Sequence, residues 1–196
     1  MDAHMVPLAQ RPASPAPLSW RIKRTLWSII EVTLFRRSFH TWSRWRVLLL
    51  RLFGAKIGKK CIVRRTVKIY YPWQLEIGDL VIIGDRVKLY SVGKITLRDR
   101  CMISQEAYLF ASANDYTRPD LPLEREPITV GEDAWVCARA FIGPGVTIGA
   151  KAIAGACAVV TEDVPPGGTA IGHEAHLPHP LRSAESAANP PDSSGR

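Results

Sequence analysis

Side chains that could act as a general base or hold a metal are scarce in the middle of this chain. Its histidines are His4, His40, His173, His176 and His179. None of them falls between residues 57 and 165. A three-histidine zinc site cannot be built in that stretch, and we expect no metal. The four cysteines are widely spaced and include no CxxC pair, so they match no zinc-ribbon or redox motif.

The charge of the chain is concentrated in one region. The 26 Lys and Arg residues against 18 Asp and Glu give a net charge of +8. Thirteen of the basic residues lie between positions 21 and 65, together with a single acid, Glu31. Such a balance favours an anionic partner, which could be nucleic acid, an acidic lipid surface or a phosphorylated small molecule.

Length and composition indicate one globular domain with short tails. The chain has 196 residues, of which 46% are apolar and 22% charged, so it can bury a core. Residues 1–18 show no secretory signal pattern, and no run approaches the ~20 apolar residues of a membrane span. We therefore expect a cytoplasmic protein, with residues 1–18 and 173–196 as disordered tails.

Residues 19–54 have the pattern of a basic, aromatic helical segment. A first helix is expected from Trp20, with Ser19 as its N-cap. Two largely apolar sets of residues fall at helical spacing, Ile22/Leu26/Ile29/Thr33 and Trp27/Ile30/Leu34. A second helix is expected to end at Gly54. Three interpretations stay open: a cap on the rest of the protein, peripheral membrane contact through residues 20–54, and nucleic-acid binding. We favour the first two and expect no nucleic acid.

From residue 57 onward, aliphatic residues recur every six positions. The sets are Ile57/Val63/Ile69/Leu75, Ile77/Ile83/Leu89, Leu97/Ile103/Leu109 and Val130/Val136/Ile142/Ile148/Ala154/Val160. A small or β-branched residue follows most of them four positions later, and both positions point inward if each six-residue step is a strand and a turn. Three such steps close one triangular coil, so the pattern predicts a parallel β-helix of about five coils over residues 55–172.

Residues 110–128 interrupt this period. The segment FASANDYTRPDLPLEREPI has no six-residue frame, and a loop that leaves a regular solenoid usually carries a binding role. We therefore expect the loop 110–128 to contribute to the functional site.

Three segments of the chain resemble the hexapeptide-repeat acyltransferases. They are LLLRLFGAKIG (48–58), NDYTRPDLPL (114–123) and GEDAWVCARAFIGPGVTIGAKAIAGACAVVTEDVPP (131–166). The resemblance is strongest to acetyltransferases of the colanic-acid-biosynthesis type, relatives of the galactoside and nodulation-sugar O-acetyltransferases. It implies a left-handed β-helix and a homotrimer with sites between adjacent prisms. It also implies acetyl transfer from acetyl-CoA to a sugar hydroxyl in exopolysaccharide or related glycan assembly.

The resemblance also locates a reactive position, at which this chain departs from its relatives. Where they carry a His-Asp-Tyr run with the histidine as base, this chain has Asn114-Asp115-Tyr116. Asn114 and Asp115 are therefore the catalytic candidates, and four hypotheses stay open. Asn114 orients the acceptor with Asp115 as a weak base; His173 or His176 reaches the site; the acceptor is an amine; or the protein is a catalytically weakened scaffold.

The same resemblance assigns a donor groove. It implies that Trp135 flanks the cleft and that Ala138, Ala156 and Thr161 meet the pantetheine arm of acetyl-CoA. His176 stands where relatives have Arg or Lys, which implies a weaker, pH-dependent contact with a phosphate.

Overall fold

Two helices precede the strands. The computed structural model describes residues 17–114 and 122–172. Helix α1 spans Leu18–Ile30 and continues through a π-helical turn at Glu31–Phe35, and helix α2 spans Ser43–Leu52. Pro17, not Ser19, is the N-cap of α1, so the helix begins earlier than predicted. The predicted end of α2 is confirmed, because Gly54 has a φ of +95°, a conformation that glycine adopts without steric cost.

Sixteen short strands form the three faces of a prism, each face a parallel sheet. Face A contains β1 (Lys56–Ile57), β4 (Leu75–Ile77), β7 (Ile95–Leu97), β12 (Ile128–Val130) and β15 (Thr147–Ile148). Face B contains β2 (Ile62–Val63), β5 (Ile82–Ile83), β8 (Met102–Ile103), β13 (Trp135–Val136), β16 (Ile153–Ala154) and β18 (Thr169–Ala170). Face C contains β3 (Lys68–Ile69), β6 (Lys88–Tyr90), β9 (Tyr108–Phe110), β14 (Phe141–Ile142) and β17 (Val159–Val160). The predicted parallel β-helix is confirmed.

The core is built from the residues that the six-residue period selects. Every aliphatic residue of the four repeated sets is at most 9% exposed. The small residues four positions later are buried as well, including Cys61 and Cys101. Burial raises the pKa of the Cys101 thiol to about 12. Both thiols therefore pack as small apolar groups.

The coils are not all of the predicted length. Ile57 pairs with Ile77 and Ile77 with Leu97, so each of the first two coils is longer than three six-residue steps. Val130 pairs with Ile148, which is the predicted spacing of three steps. The extra length enters where β4 and β7 have a third residue. Residues i and i+2 of a strand share a face, so both Leu75 and Ile77 point inward.

The helices close one end of the solenoid. The Trp27 indole is fully buried, and its Nε1 donates to the backbone oxygen of Ile69 at 2.7 Å. Glu31 Oε1 accepts from the Ile69 amide at 3.0 Å. The fully buried Arg46 donates through Nε to the Val63 oxygen at 2.7 Å. These side chains satisfy backbone groups at the free edge of the first coil, which would otherwise be exposed to pairing with another strand.

The predicted loop leaves the prism between faces C and A. The chain departs after β9 and returns at β12. Between them, β10 (Ala113–Asn114) pairs antiparallel with β11 (Leu123–Glu124), so the base of the loop is a short ribbon. Asp115 lies outside the described residues.

Candidate functional site

The corner between faces B and C changes character along the solenoid. Each coil turns there between a face B strand and a face C strand, and the second residue of the turn points outward. From the first coil to the fifth, this position holds Arg65, Asp85, Gln105, Ala138 and Ala156. Charged or amide side chains in the first three coils thus give way to methyl groups in the last two. The surface is therefore open at this corner in coils four and five.

The backbone at this corner offers hydrogen-bond donors. The two turns are stacked, because the Cys157 amide donates to the Ala138 oxygen at 2.9 Å. Within residues 17–114 and 122–172, neither the Ala138 nor the Ala156 amide donates to another group. Ala156 is exposed and Ala138 is half-buried. A ligand with amide carbonyls, lying along the corner, could accept from both groups.

Trp135 borders this corner on strand β13. Trp135 is 41% exposed, and its Nε1 donates to Ser104 Oγ at 2.8 Å. That bond fixes the indole against the previous coil. Ser104 is a functional candidate that sequence reasoning missed. The signal that could have found it was its place directly after Ile103, at the first turn position of coil three.

A charged row runs beside the alanines. Glu106 accepts from Arg86 Nε at 3.0 Å and from Arg139 Nε at 2.6 Å. The hydrogen bond from Arg86, followed by that from Arg139, lowers the pKa of the Glu106 carboxyl. Two guanidinium groups against one carboxylate leave a net positive charge next to Ala138. This charge suits an anionic ligand.

The loop residue and Thr161 lie at a different corner. Asn114 is exposed on β10, opposite Leu123 in the ribbon. Thr161, also exposed, follows β17 directly and so stands between faces C and A. The structure therefore brings Trp135, Ala138 and Ala156 together and places Asn114 and Thr161 across face C from them. His173 and His176 lie outside the described residues.

The half-buried surface between these two corners is largely aromatic. Tyr108 and Phe141 project from face C, with their ring centroids 5.6 Å apart. Phe110, at the end of β9, stacks on Tyr90 at 4.8 Å. In the described ranges, no three His, Cys, Asp or Glu side chains are grouped as metal ligands would be.

The six-residue period and the three parallel sheets define a hexapeptide-repeat solenoid. The chain is 42% identical over 144 residues to the putative colanic acid biosynthesis acetyltransferase WcaF of Escherichia coli (strain K12), covering 74% of this chain and 79% of that protein. It is 34% identical over 138 residues to nodulation protein L of Rhizobium leguminosarum bv. viciae, covering 68% and 72%. The galactoside O-acetyltransferase of Escherichia coli (strain K12) is 27% identical over 130 residues, covering 65% and 64%.

Solved structures share the fold. A galactoside acetyltransferase in complex with coenzyme A superposes with a TM-score of 0.78 at 21% identity, covering 88% of each chain. A hexapeptide-repeat acetyltransferase from Vibrio cholerae, complexed with acetyl coenzyme A, gives 0.77 at 23% identity, covering 88% of this chain and 94% of that one. A comparison with profiles of known protein families finds no match. The chain belongs to the colanic-acid-type hexapeptide-repeat acetyltransferases, as the sequence resemblance indicated.

Proposed function

We propose that this protein is an acetyl-CoA-dependent O-acetyltransferase that acts on a sugar hydroxyl in exopolysaccharide or related glycan biosynthesis. The observation that carries the proposal is the open corner at Ala138 and Ala156, with the adjacent Trp135 indole and two amides that donate to no group within the described residues. Membership of an acetyltransferase family and the coenzyme-bound structural relatives support the same donor.

In the proposed complex, the pantetheine arm lies along the corner between faces B and C. The amides of Ala138 and Ala156 donate to its carbonyl oxygens, and methyl side chains leave the space it needs. The Trp135 ring, held by Ser104, forms one wall. The positive charge of the Arg86–Glu106–Arg139 row lies on the side of the phosphates. Thr161 and His176 remain proposed donor contacts from the family resemblance, with Thr161 supplied by a second copy because it lies across face C from this groove.

The reactive loop and the donor groove lie on opposite edges of face C in one protomer. A complete site therefore requires a second copy whose loop approaches this groove, which agrees with a homotrimer that has its sites between prisms. Face B presents an exposed apolar row, Ile62, Ile82 and Trp135, each between 39% and 41% exposed. This row offers apolar surface for such a contact.

The acceptor oxygen attacks the thioester carbonyl carbon, the carbon–sulfur bond breaks, and coenzyme A leaves as the thiol. The hydroxyl proton must go to a base as the new ester forms. An asparagine amide does not take up that proton, so in this proposal Asn114 orients the acceptor hydroxyl, and Asp115 receives the proton and passes it to the departing sulfur. A positioned histidine base contributes about 10²–10⁴ in rate, so we expect slow turnover.

Binding and turnover must be measured separately to test this proposal. Acetyl-CoA binding is followed by calorimetry, and acetyl transfer is assayed on a panel of sugars. The variants are Asn114→Ala, Asn114→His and Asp115→Asn, with Glu124→Gln in the same ribbon as the control. We expect binding in all five proteins. Turnover should fall in Asn114→Ala and Asp115→Asn and rise at least about tenfold in Asn114→His.

The identity of Asn114, which has no titratable group where the family resemblance implies a histidine base, also supports the second candidate, a catalytically weakened scaffold. Binding without transfer to any sugar, together with recovery of transfer in Asn114→His, would establish that scaffold. Absence of acetyl-CoA binding in the unaltered chain would refute both proposals. Transfer to amino sugars alone would show that the acceptor is an amine.

A further inference from the structure

Helix α1 carries apolar side chains on two opposite faces. The inner face packs Trp27 on the first coil. The outer face exposes four aliphatic residues at helical spacing, each more than half exposed: Leu18, Ile22, Leu26 and Ile29. The inner row accounts for the packing of the helix on the solenoid. The outer row has no partner in the described part of the chain.

Helix α2 and the segment before it repeat this arrangement. Their exposed apolar residues are Phe39, Trp42, Trp45, Leu48 and Leu52. The inner side of α2 packs on the same end of the solenoid as α1, since Arg46 bonds the Val63 oxygen and Trp27 bonds that of Ile69. The outer faces of both helices therefore point away from that end. We call residues 18–54 the helical cap.

The apolar surface of the helical cap is surrounded by positive charge. Arg21, Arg36, Arg37 and Arg44 are all exposed. Across the described ranges, no Lys or Arg of the cap is in an ion pair. A cavity of about 770 Å³ between α2 and the first coil adds further basic groups beside Trp45 and Leu48. They are Arg51, Lys59 and Lys60, and Arg44 lines the same cavity.

We propose that the helical cap docks this protein on an anionic lipid bilayer. A short helix with an exposed aliphatic row, tryptophan nearby and flanking arginines inserts its apolar side at the boundary between headgroups and acyl chains. Arginines near an anionic surface add attraction. A neutral protein partner would leave this concentration of charge uncompensated, whereas anionic headgroups match it. None of the helices in the described residues is long and apolar enough to cross a bilayer.

The test is co-sedimentation of the full chain with vesicles. Two compositions are compared: phosphatidylcholine alone, and phosphatidylcholine mixed with phosphatidylglycerol. We expect binding to the mixture that weakens as salt is added. The double variant Ile22→Ser/Ile29→Ser should bind about tenfold or more weakly, because two aliphatic side chains no longer enter the bilayer. Arg36→Gln/Arg37→Gln should lower binding to the mixture by roughly twentyfold.

The control is Leu80→Asn/Ile171→Ser, which removes two exposed apolar side chains from the coils and should bind like the unaltered chain. Equal binding of the control and of Ile22→Ser/Ile29→Ser would overturn the proposal, as would the absence of binding to the mixture.

Sedimentation velocity in the same buffer measures the oligomeric mass and so tests whether a second copy of the chain covers the outer row instead. If Ile22→Ser/Ile29→Ser lowers the oligomeric mass, the outer row is a subunit contact and the proposal fails. Acetyl transfer to a free sugar should be unchanged in this variant, which separates this test from that of the enzymatic function.

Discussion

The two ends of the solenoid differ in how their backbone groups are satisfied. At the first coil, the helical cap buries an arginine and a carboxyl group to satisfy the free strand edge. In coils four and five, several inward positions hold alanine, among them Ala134, Ala140, Ala152, Ala154 and Ala158. The outer corner there is reduced to alanine as well, at Ala138 and Ala156. The first coil is closed by the helical cap, whereas the last two coils leave backbone amides exposed at the corner, where we propose that acetyl-CoA binds.

Mutations at the two ends should therefore change different observables. Buried polar groups at the cap have satisfied partners, and removing one leaves several others unsatisfied. The alanine corner has no such network, so filling it should spare stability and impair binding. Substitutions at the two ends therefore test whether stability and ligand binding are separable in this protein.

The largest expected effect is that of Arg46→Ala. The guanidinium donates to Ser38 Oγ and to the backbone oxygens of Phe39, His40 and Val63. The variant leaves these acceptors without that donor, so we expect a loss of about 3–5 kcal/mol in the free energy of unfolding. Urea unfolding at one protein concentration measures it. The exposed neighbour Arg44→Ala should change by less than about 0.5 kcal/mol; similar losses in both variants would contradict the assigned role.

The second effect is on binding. Ala138→Gln/Ala156→Gln restores at the corner the side chain that coil three carries at Gln105. We expect the dissociation constant for acetyl-CoA to rise about tenfold to a hundredfold, because the long side chains occupy the groove. Calorimetry measures it, with the urea midpoint as a check on folding. Gln105→Ala is the control and should bind normally. Unchanged affinity in the double variant would remove the corner from the proposed site.

The sequence predicts most of the solenoid because each six-residue step, a strand and a turn, must place the same position inward. It does not predict the longer first coils. The shift of frame by two residues between Leu75 and Ile77 can arise from a lengthened turn or from a longer strand, and only the pairing of the three-residue strands β4 and β7 distinguishes them. The burial of Arg46 does not follow from the sequence either, since its acceptors are brought together only by tertiary packing.

The site was less predictable than the fold. The family resemblance predicts a role for Ala138 and Ala156, but it does not say why alanine is needed. The stacking of the five turns supplies the reason, because only these two leave the corner open. Ser104 was missed because its bond to Trp135 joins different coils. Asn114 is separated from the groove by face C because the loop leaves after β9 on face C, whereas the alanine pair lies at the turn before face C.

A smaller effect is expected from loss of the Ser104 hydroxyl. Ser104→Ala removes the acceptor of the Trp135 N–H, and Trp135→Phe removes the donor. If the bond orients the ring as a wall of the groove, each variant should weaken acetyl-CoA binding about threefold, and the double variant should be no worse than either single one. Calorimetry measures all three. Additive losses would mean that the two residues act independently.

The smallest expected effect is that of Glu31→Gln on the pH dependence of stability. Glu31 lies buried in the helical cap against the first coil. Burial raises the pKa of its carboxyl, although the Ile69 N–H and the charges of Arg24, Lys68 and Arg36 oppose the shift. The folded state therefore binds this proton more tightly than the unfolded state, and this group's contribution to stability falls as pH rises through the folded pKa. We expect Glu31→Gln, which can keep the bond to Ile69, to be more stable than the unaltered chain at neutral pH.

That advantage should vanish as pH falls below the ordinary carboxyl value of 4.5. Urea unfolding of both proteins across this range measures the difference. If Glu31→Gln were instead less stable at neutral pH, and increasingly so as pH rose, the attraction of the surrounding basic residues would outweigh burial. The carboxylate would then stabilise the cap through charge, and the closure of this end would depend on ion pairing more than on exclusion of water.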